Sequence, residues 1–183
     1  MAFLIAVLVL AVLVVLYVVM QYNRLVRVRN RIENGWAQID VQLKRRYDLI
    51  PNLIETVKGY AAHEKSTLEA VIQARNAAMS AQGPAGKAEA EGGLSGTLKS
   101  LFALGEAYPD LKANQNFLNL QEELTGTEDK IAYSRQYYND EVRTYNTKIQ
   151  SFPASILAKR FGFVQREYFQ ADEASRGPVN VKF

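Results

Sequence analysis

Cysteine is absent from this 183-residue chain and histidine occurs once, at His63. Without cysteine there can be no disulfide, no thiolate nucleophile and no sulfur-held zinc, although the redox compartment is left open. With one histidine, a transition metal would rest almost entirely on carboxylates, and a Ser-His-Asp triad would have to be built on His63 alone. No alternating apolar and polar run longer than a few residues appears, so strands are not expected. An excess of one charge is also missing. Lysine and arginine total 22 against 19 acids, a net charge of +3, and the two signs are mixed. Such a surface lacks the cationic stripe that neutralises many phosphates, so nucleic acid is not expected as a partner.

Side-chain charge is missing altogether before Arg24. Ala2 to Met20 reads AFLIAVLVLAVLVVLYVVM, with no Gly or Pro, and as a helix this stretch spans about 28 Å, enough to cross a bilayer. A buried core helix would show a polar face, and this one has none. A cleavable signal peptide would need a charged start, a shorter apolar stretch and small residues near its end, whereas Val18, Val19, Met20 and Gln21 follow Tyr17. An uncleaved anchor over residues 1–21 is therefore expected. Arg24, Arg27, Arg29 and Arg31 follow it before the first acid, Glu33. The positive-inside rule then predicts a single-pass protein of the bacterial cytoplasmic (inner) membrane, its N-terminus outside and its body in the cytoplasm. The four arginines would also face anionic headgroups, each worth on the order of 1 kcal/mol.

The rest of the chain is charged enough to be water-soluble and is sized for one domain. From Leu25 through Val28, Ile32, Trp36, Ile39, Leu43, Tyr47 and Ile50 the apolar spacing is helical. The span should continue into this stretch as one long helix, with Gly35 tolerated if a neighbouring helix packs close. Pro51 predicts a kink or short turn, with Asp48 as a candidate cap for a second helix to about Ala81. Residues 82–96 hold five glycines and one proline and read as a flexible loop. Ser95 or Thr97 could cap a short helix ending near Tyr108, and Asp110 could cap a fourth. That fourth helix carries Phe117, Leu120, Leu124, Ile131, Tyr138, Val142, Tyr145 and Ile149, a length that only a bundle or coiled coil requires. Pro153 ends it. Ala154 to Phe161 reads as a last short helix, with Gly162 at its C-cap and 164–183 as a tail. The expected class is all-α: a transmembrane helix running into an antiparallel bundle (22–163) of three to four main helices plus a short C-terminal one.

No motif for chemistry is complete. His63 and Glu64 begin a zinc-protease pattern, but Thr67 stands where its second histidine belongs. Gly86 and Lys87 suggest the end of a phosphate loop, yet Ala81 and Ala88 replace the first glycine and the hydroxyl. No catalytic, metal or cofactor residue is assigned. Lys44, Arg45, Arg46 and Asp48 lie beside core positions, either as a solvated face or paired with Glu55, Glu106 or Asp140 to set register. Tyr133, Tyr137, Tyr138 and Tyr145 read as core rings reaching the bundle edge, or as a groove lining.

The stretch LKRRYDLIPNLIETVKGYAAHE (43–64) with Ala74 and Arg75, the stretch EAYPDLKANQNF (106–117), and Glu128, Arg135, Tyr138, Asn139, Tyr145, Asn146 and Pro153 together resemble the LemA family over nearly everything after the span. The resemblance implies a membrane-anchored helical bundle with no established enzymatic activity. One branch of that family is associated with magnetosome formation, which suggests membrane organisation by analogy. The resulting expectation is a non-enzymatic scaffold in contact with the lipid bilayer, forming homo-oligomers or binding other membrane proteins. The alternative is a sensor or adaptor taking a ligand or peptide between helices. The candidate interaction residues are Arg45, Arg46, Asp48, His63, Glu64, Glu106, Tyr108, Asp110, Tyr138 and Tyr145.

Overall fold

The computed structural model describes residues 1–170. Among them are six helices and no strand: α1 (Ala2–Lys58), α2 (Lys65–Ser80), α3 (Gly83–Ala107), α4 (Pro109–Lys112), α5 (Gln115–Gln150) and α6 (Ala154–Arg160). The all-helical expectation holds. The described chain falls into two compact units, each taking part of the long helices α1 and α5. Unit 1 takes Met1–Ala37 and Gln136–Glu167, and unit 2 takes Gln38–Arg135 and residues 168–170.

In unit 1, α1 starts with side chains exposed on every face, and this stretch is long and apolar enough to cross a membrane. The helix then becomes amphipathic without a break. Leu25, Val28 and Ile32 are buried on α1, and Val142, Tyr145 and Ile149 are buried on α5. Their three- and four-residue spacing gives each helix one core-facing stripe. Burial of such side chains stabilises by about 1.5–3 kcal/mol each. The two helices run antiparallel, since Trp36 meets Tyr138 at 5.7 Å between rings while Arg31, earlier on α1, meets Glu141, later on α5. Gly35 is the close approach that its position in the stripe predicts. A Cβ there would lie 3.2 Å from the Tyr137 ring and 3.4 Å from the Tyr138 backbone.

Gly162, at φ 71°, turns the chain after α6, as its predicted C-cap position requires. The residues that follow are held against α5. The Asn146 amide donates to Arg166 O at 2.9 Å and its Oδ1 accepts from Arg166 N at 2.9 Å, while the Tyr138 hydroxyl donates to Glu167 O at 2.9 Å. The predicted tail therefore begins as a packed strap, because Asn146 offers the donor and acceptor pair that an extended backbone needs. Residues 171–183 of the predicted tail lie outside the described residues.

Unit 2 differs from expectation in three places. First, Pro51 does not interrupt α1, which runs to Lys58. Proline removes the N–H that would bond the carbonyl four residues earlier, here Tyr47 O. Arg75 on α2 supplies the substitute, its Nε donating to Tyr47 O at 2.8 Å. Asp48 is consequently an exposed mid-helix residue and not a cap.

Second, 82–96 is not a flexible loop; nearly all of it forms the first half of α3. Gly83 takes φ 71°, Pro84 sits in the first turn, and Ala88, Glu91, Leu94, Leu98 and Leu101 face inward. Proline at this position suits a helix start, where its missing N–H costs nothing. Ser95 and Thr97 are thus internal. Third, Asp110 lies in the first turn of the four-residue α4, and the start of α5 is capped by Asn114, whose Oδ1 accepts from Phe117 N at 3.0 Å.

Candidate functional site

Unit 2 encloses a charged network. Arg46 and Tyr47 are consecutive on α1, and Glu91 stands on the inward face of α3. The side chains of Arg46 and Glu91 are 3% and 4% exposed. Arg46 Nη1 donates to Glu91 Oε2 at 3.1 Å, and its Nη2 donates to Ser95 Oγ at 2.7 Å. The Tyr47 hydroxyl donates a short hydrogen bond to Glu91 Oε1. Burial, followed by this bond and the Glu91 charge, pushes the Tyr47 phenol well above its ordinary range. Lys87 donates to Ala78 O at 3.0 Å and lies 5.8 Å from the Tyr47 ring centre. Arg135 of α5 sits 5.0 Å from the Phe169 ring. Burial lowers its pKa while Glu91 opposes that shift.

The buried Glu91 carboxylate accepts from a guanidinium and a phenol, so it ties α3 to α1. The network offers no nucleophile beside a base among the described residues. Arg46 Nη1 and Nη2 are engaged by Glu91 and Ser95, while Arg46 Nε is buried without a hydrogen-bond partner among the described residues.

The other predicted residues of unit 2 are dispersed. Arg45 pairs with Glu123 on the surface. Glu64 accepts from the Tyr108 hydroxyl at 3.1 Å, which raises the Tyr108 pKa. Glu106 pairs with Lys112 at 2.6 Å, while His63 and Asp110 are exposed. Of the acids expected as partners for the basic cluster, Glu55 binds Lys58 and Asp140 binds Arg143. The true partner, Glu91, lies in the stretch that reads as a loop, which hides it from a local reading. The signal is the inward spacing of Ala88, Glu91, Leu94, Leu98 and Leu101.

Unit 1 carries the opposite arrangement. Arg24, Arg27 and Arg31 share one face of α1, at i, i+3 and i+7, and with Lys148 of α5 they line a cleft of about 500 Å³. Glu141 lies 3.5 Å from Arg31 Nε. Arg29 departs from this face and stacks toward the Phe163 ring at 5.8 Å. The Lys148 ammonium is pushed down, first by burial and then by Arg24, Arg31 and Arg27. Tyr138 and Tyr145 are buried as rings, and burial raises both of their pKa values. They are core residues of unit 1 and do not line this cleft.

A model described as the LemA family matches residues 35–183, which covers the Arg46 network and Asn146. The chain belongs to the LemA family. Among curated relatives it is similar to magnetosome protein MamQ 2 of Paramagnetospirillum magneticum, at 28% identity over 87% of this chain and 68% of that protein. It is similar to Protein LemA of Metamycoplasma hominis at 29% identity, over 87% of this chain and 73% of the relative. The family match begins at Gly35, so the network that builds unit 2 lies inside it and Arg24, Arg27 and Arg31 lie before it.

Proposed function

We propose that this LemA-family chain is a non-enzymatic scaffold anchored in the bacterial inner membrane, with its N-terminus outside and its helical body in the cytoplasm, where it self-associates and organises the bilayer surface. The observation that carries the reading is the continuity of α1. One helix of 57 residues contains the apolar stretch and contributes to both units. The span and the helical body therefore share a single uninterrupted element of backbone. The relatives named as magnetosome proteins are consistent with a role at membranes, by analogy.

Self-association is tested by mass photometry of the full chain extracted in detergent. Discrete oligomers are the expected result, and monomers at all concentrations contradict it. For orientation, Gly92 is a suitable labelling site, because a Cβ there meets nothing within 4 Å. Gly92→Cys in this cysteine-free chain should escape an impermeant maleimide in intact cells and react after lysis; labelling of intact cells contradicts the cytoplasmic placement.

The sensor or adaptor reading is favoured by a cleft of about 340 Å³ in unit 2, lined by Asn52, Thr56, Asn116, Asn119, Leu120 and Glu123. Amides and a hydroxyl suit the backbone of an extended peptide better than an apolar ligand. A thermal-shift screen of peptides should then raise the melting temperature, and Asn119→Leu should cancel the rise; no shift by any peptide counts against this second reading.

A further inference from the structure

The cationic cleft of unit 1 has too few acids to be explained as an ion-pair network. Glu141 forms an ion pair with Arg31 and also acts electrostatically on Lys148, and Arg27 Nε donates within its own helix to Asn23 O at 3.3 Å. Arg24 and Lys148 have no ion pair among the described residues. Clustered like charges oppose folding, and here Arg24, Arg31 and Arg27 add to burial in pushing the Lys148 ammonium down, against the opposing charge of Glu141. An anion in the cleft would relieve the repulsion.

The surroundings narrow the kind of anion. A second cleft of about 470 Å³ shares Arg24 and Arg27 with the first and extends along Tyr17, Met20, Gln21 and Asn23. Through the shared Arg24 and Arg27 the two neighbouring clefts run from residues at the end of the apolar stretch to the four cations, the polarity of an amphiphile. Arg24 begins four residues after Met20, about 6 Å along the helix, and the headgroup layer of one leaflet is about 5–8 Å deep. Helical side chains lean toward the N-terminus, so the lower guanidinium groups fall at phosphate level and Arg31 and Lys148 lie just above it.

Unit 1 carries a second, separate sign of lipid contact. Phe152 and Ile156, beside and on α6, are 82% and 60% exposed, and Lys159 and Arg160 end that helix. Phe161, the next residue, packs edge-on against Tyr22 at 5.1 Å between ring centres, which places α6 at the level where the span ends. Exposed apolar side chains beside cations at that height suit the bilayer interface.

We propose that the cleft lined by Arg24, Arg27, Arg31 and Lys148 is a binding site for an anionic membrane phospholipid, the cations holding its phosphate and the Tyr17–Met20 track receiving its acyl chain. The proposal rests on the reading of α1 as a membrane anchor. It makes the protein responsive to the lipid composition around it, so that assembly would concentrate where anionic lipid does.

The test uses the full chain in nanodiscs of phosphatidylcholine with added phosphatidylglycerol or cardiolipin, scored by lipids retained in native mass spectrometry and by melting temperature. The expected result is at least about tenfold enrichment of anionic lipid over phosphatidylcholine, lost in Arg24→Gln/Arg27→Gln/Lys148→Gln. Lys148→Met alone should raise the melting temperature in lipid-free detergent yet shrink the gain from anionic lipid, a split that a purely structural lysine would not give. Equal retention of both lipid types overturns the site, as does equal protection by inorganic phosphate without lipid, which would assign a soluble anion instead. Resistance to carbonate extraction, measured on the same protein, separates the two failures: an embedded chain without lipid preference sinks only this site, whereas an extractable chain sinks the anchor.

Discussion

The two units treat arginine in opposite ways. Unit 2 buries Arg46 and gives it Glu91 and Ser95, whereas unit 1 gathers Arg24, Arg27 and Arg31 around Lys148, with Glu141 as an ion-pair partner of Arg31. A ligand for Arg46 would have to displace the partners of its two terminal nitrogens, although its Nε is buried without a hydrogen-bond partner among the described residues. A guanidinium left beside like charges weakens the fold until something negative arrives. The pairing of each arginine, more than its presence, separates the architectural unit from the unit suited to recognition.

The sharpest way to break this contrast is to unpair unit 2. Glu91→Ala leaves a buried guanidinium without its carboxylate and the Tyr47 phenol with only Ala78 O as acceptor, and should cost about 3–5 kcal/mol in urea unfolding. Replacing the pair together, Arg46→Met with Glu91→Leu, should recover much of that loss. A change below about 1 kcal/mol for Glu91→Ala would show that the network does not hold unit 2.

Next in size is the bond that carries α1 past Pro51. Arg75→Ala strands Tyr47 O and should cost about 1–3 kcal/mol. Adding Pro51→Ala restores a backbone donor to the same carbonyl, so the double variant should be more stable than Arg75→Ala alone. Additive losses in this double-mutant cycle would show that Arg75 acts elsewhere.

Alkaline pH gives a smaller, graded effect. Tyr47 has a raised pKa in the folded state, so the folded protein keeps a proton that the unfolded chain loses above about pH 10. Its contribution is intact below that pH and is lost as pH rises further. Melting curves from about pH 9 to 11 should show a falling midpoint, with a shallower fall in Tyr47→Phe. An equal slope in both would place the titration on Tyr138 or Tyr145, whose pKa values are also raised.

The smallest effect has the opposite sign. Gly93 and Gly96 are exposed on α3, and a Cβ at either would meet nothing within 4 Å, so alanine at either should add about 0.5–1 kcal/mol. Destabilisation would mean that this stretch is not helical in solution.

These glycines also explain what could be read from the sequence and what could not. The long stripes of α1 and α5 are legible because large apolar residues recur every three or four positions, and Gly35 is legible because it interrupts such a stripe where a second helix must approach. In α3 the outward glycines dominate the composition and the inward face begins with small Ala88 and charged Glu91, so local propensity points to a loop. Tertiary burial overrides it, and Glu91 goes unrecognised with its helix. Pro51 misleads for a related reason: the donor that rescues Tyr47 O comes from Arg75, in a different helix, and nothing local to the proline announces it. Lys148 escapes notice because a single cation on a long amphipathic helix looks solvated until α1 brings three arginines beside it.

The central claim is that the apolar stretch and the helical units remain one continuous chain in the membrane. Intact-mass measurement of the protein from carbonate-washed membranes tests it directly: the account predicts a single full-length species retaining the apolar segment, and a mature product starting beyond Met20 in the soluble fraction would contradict it.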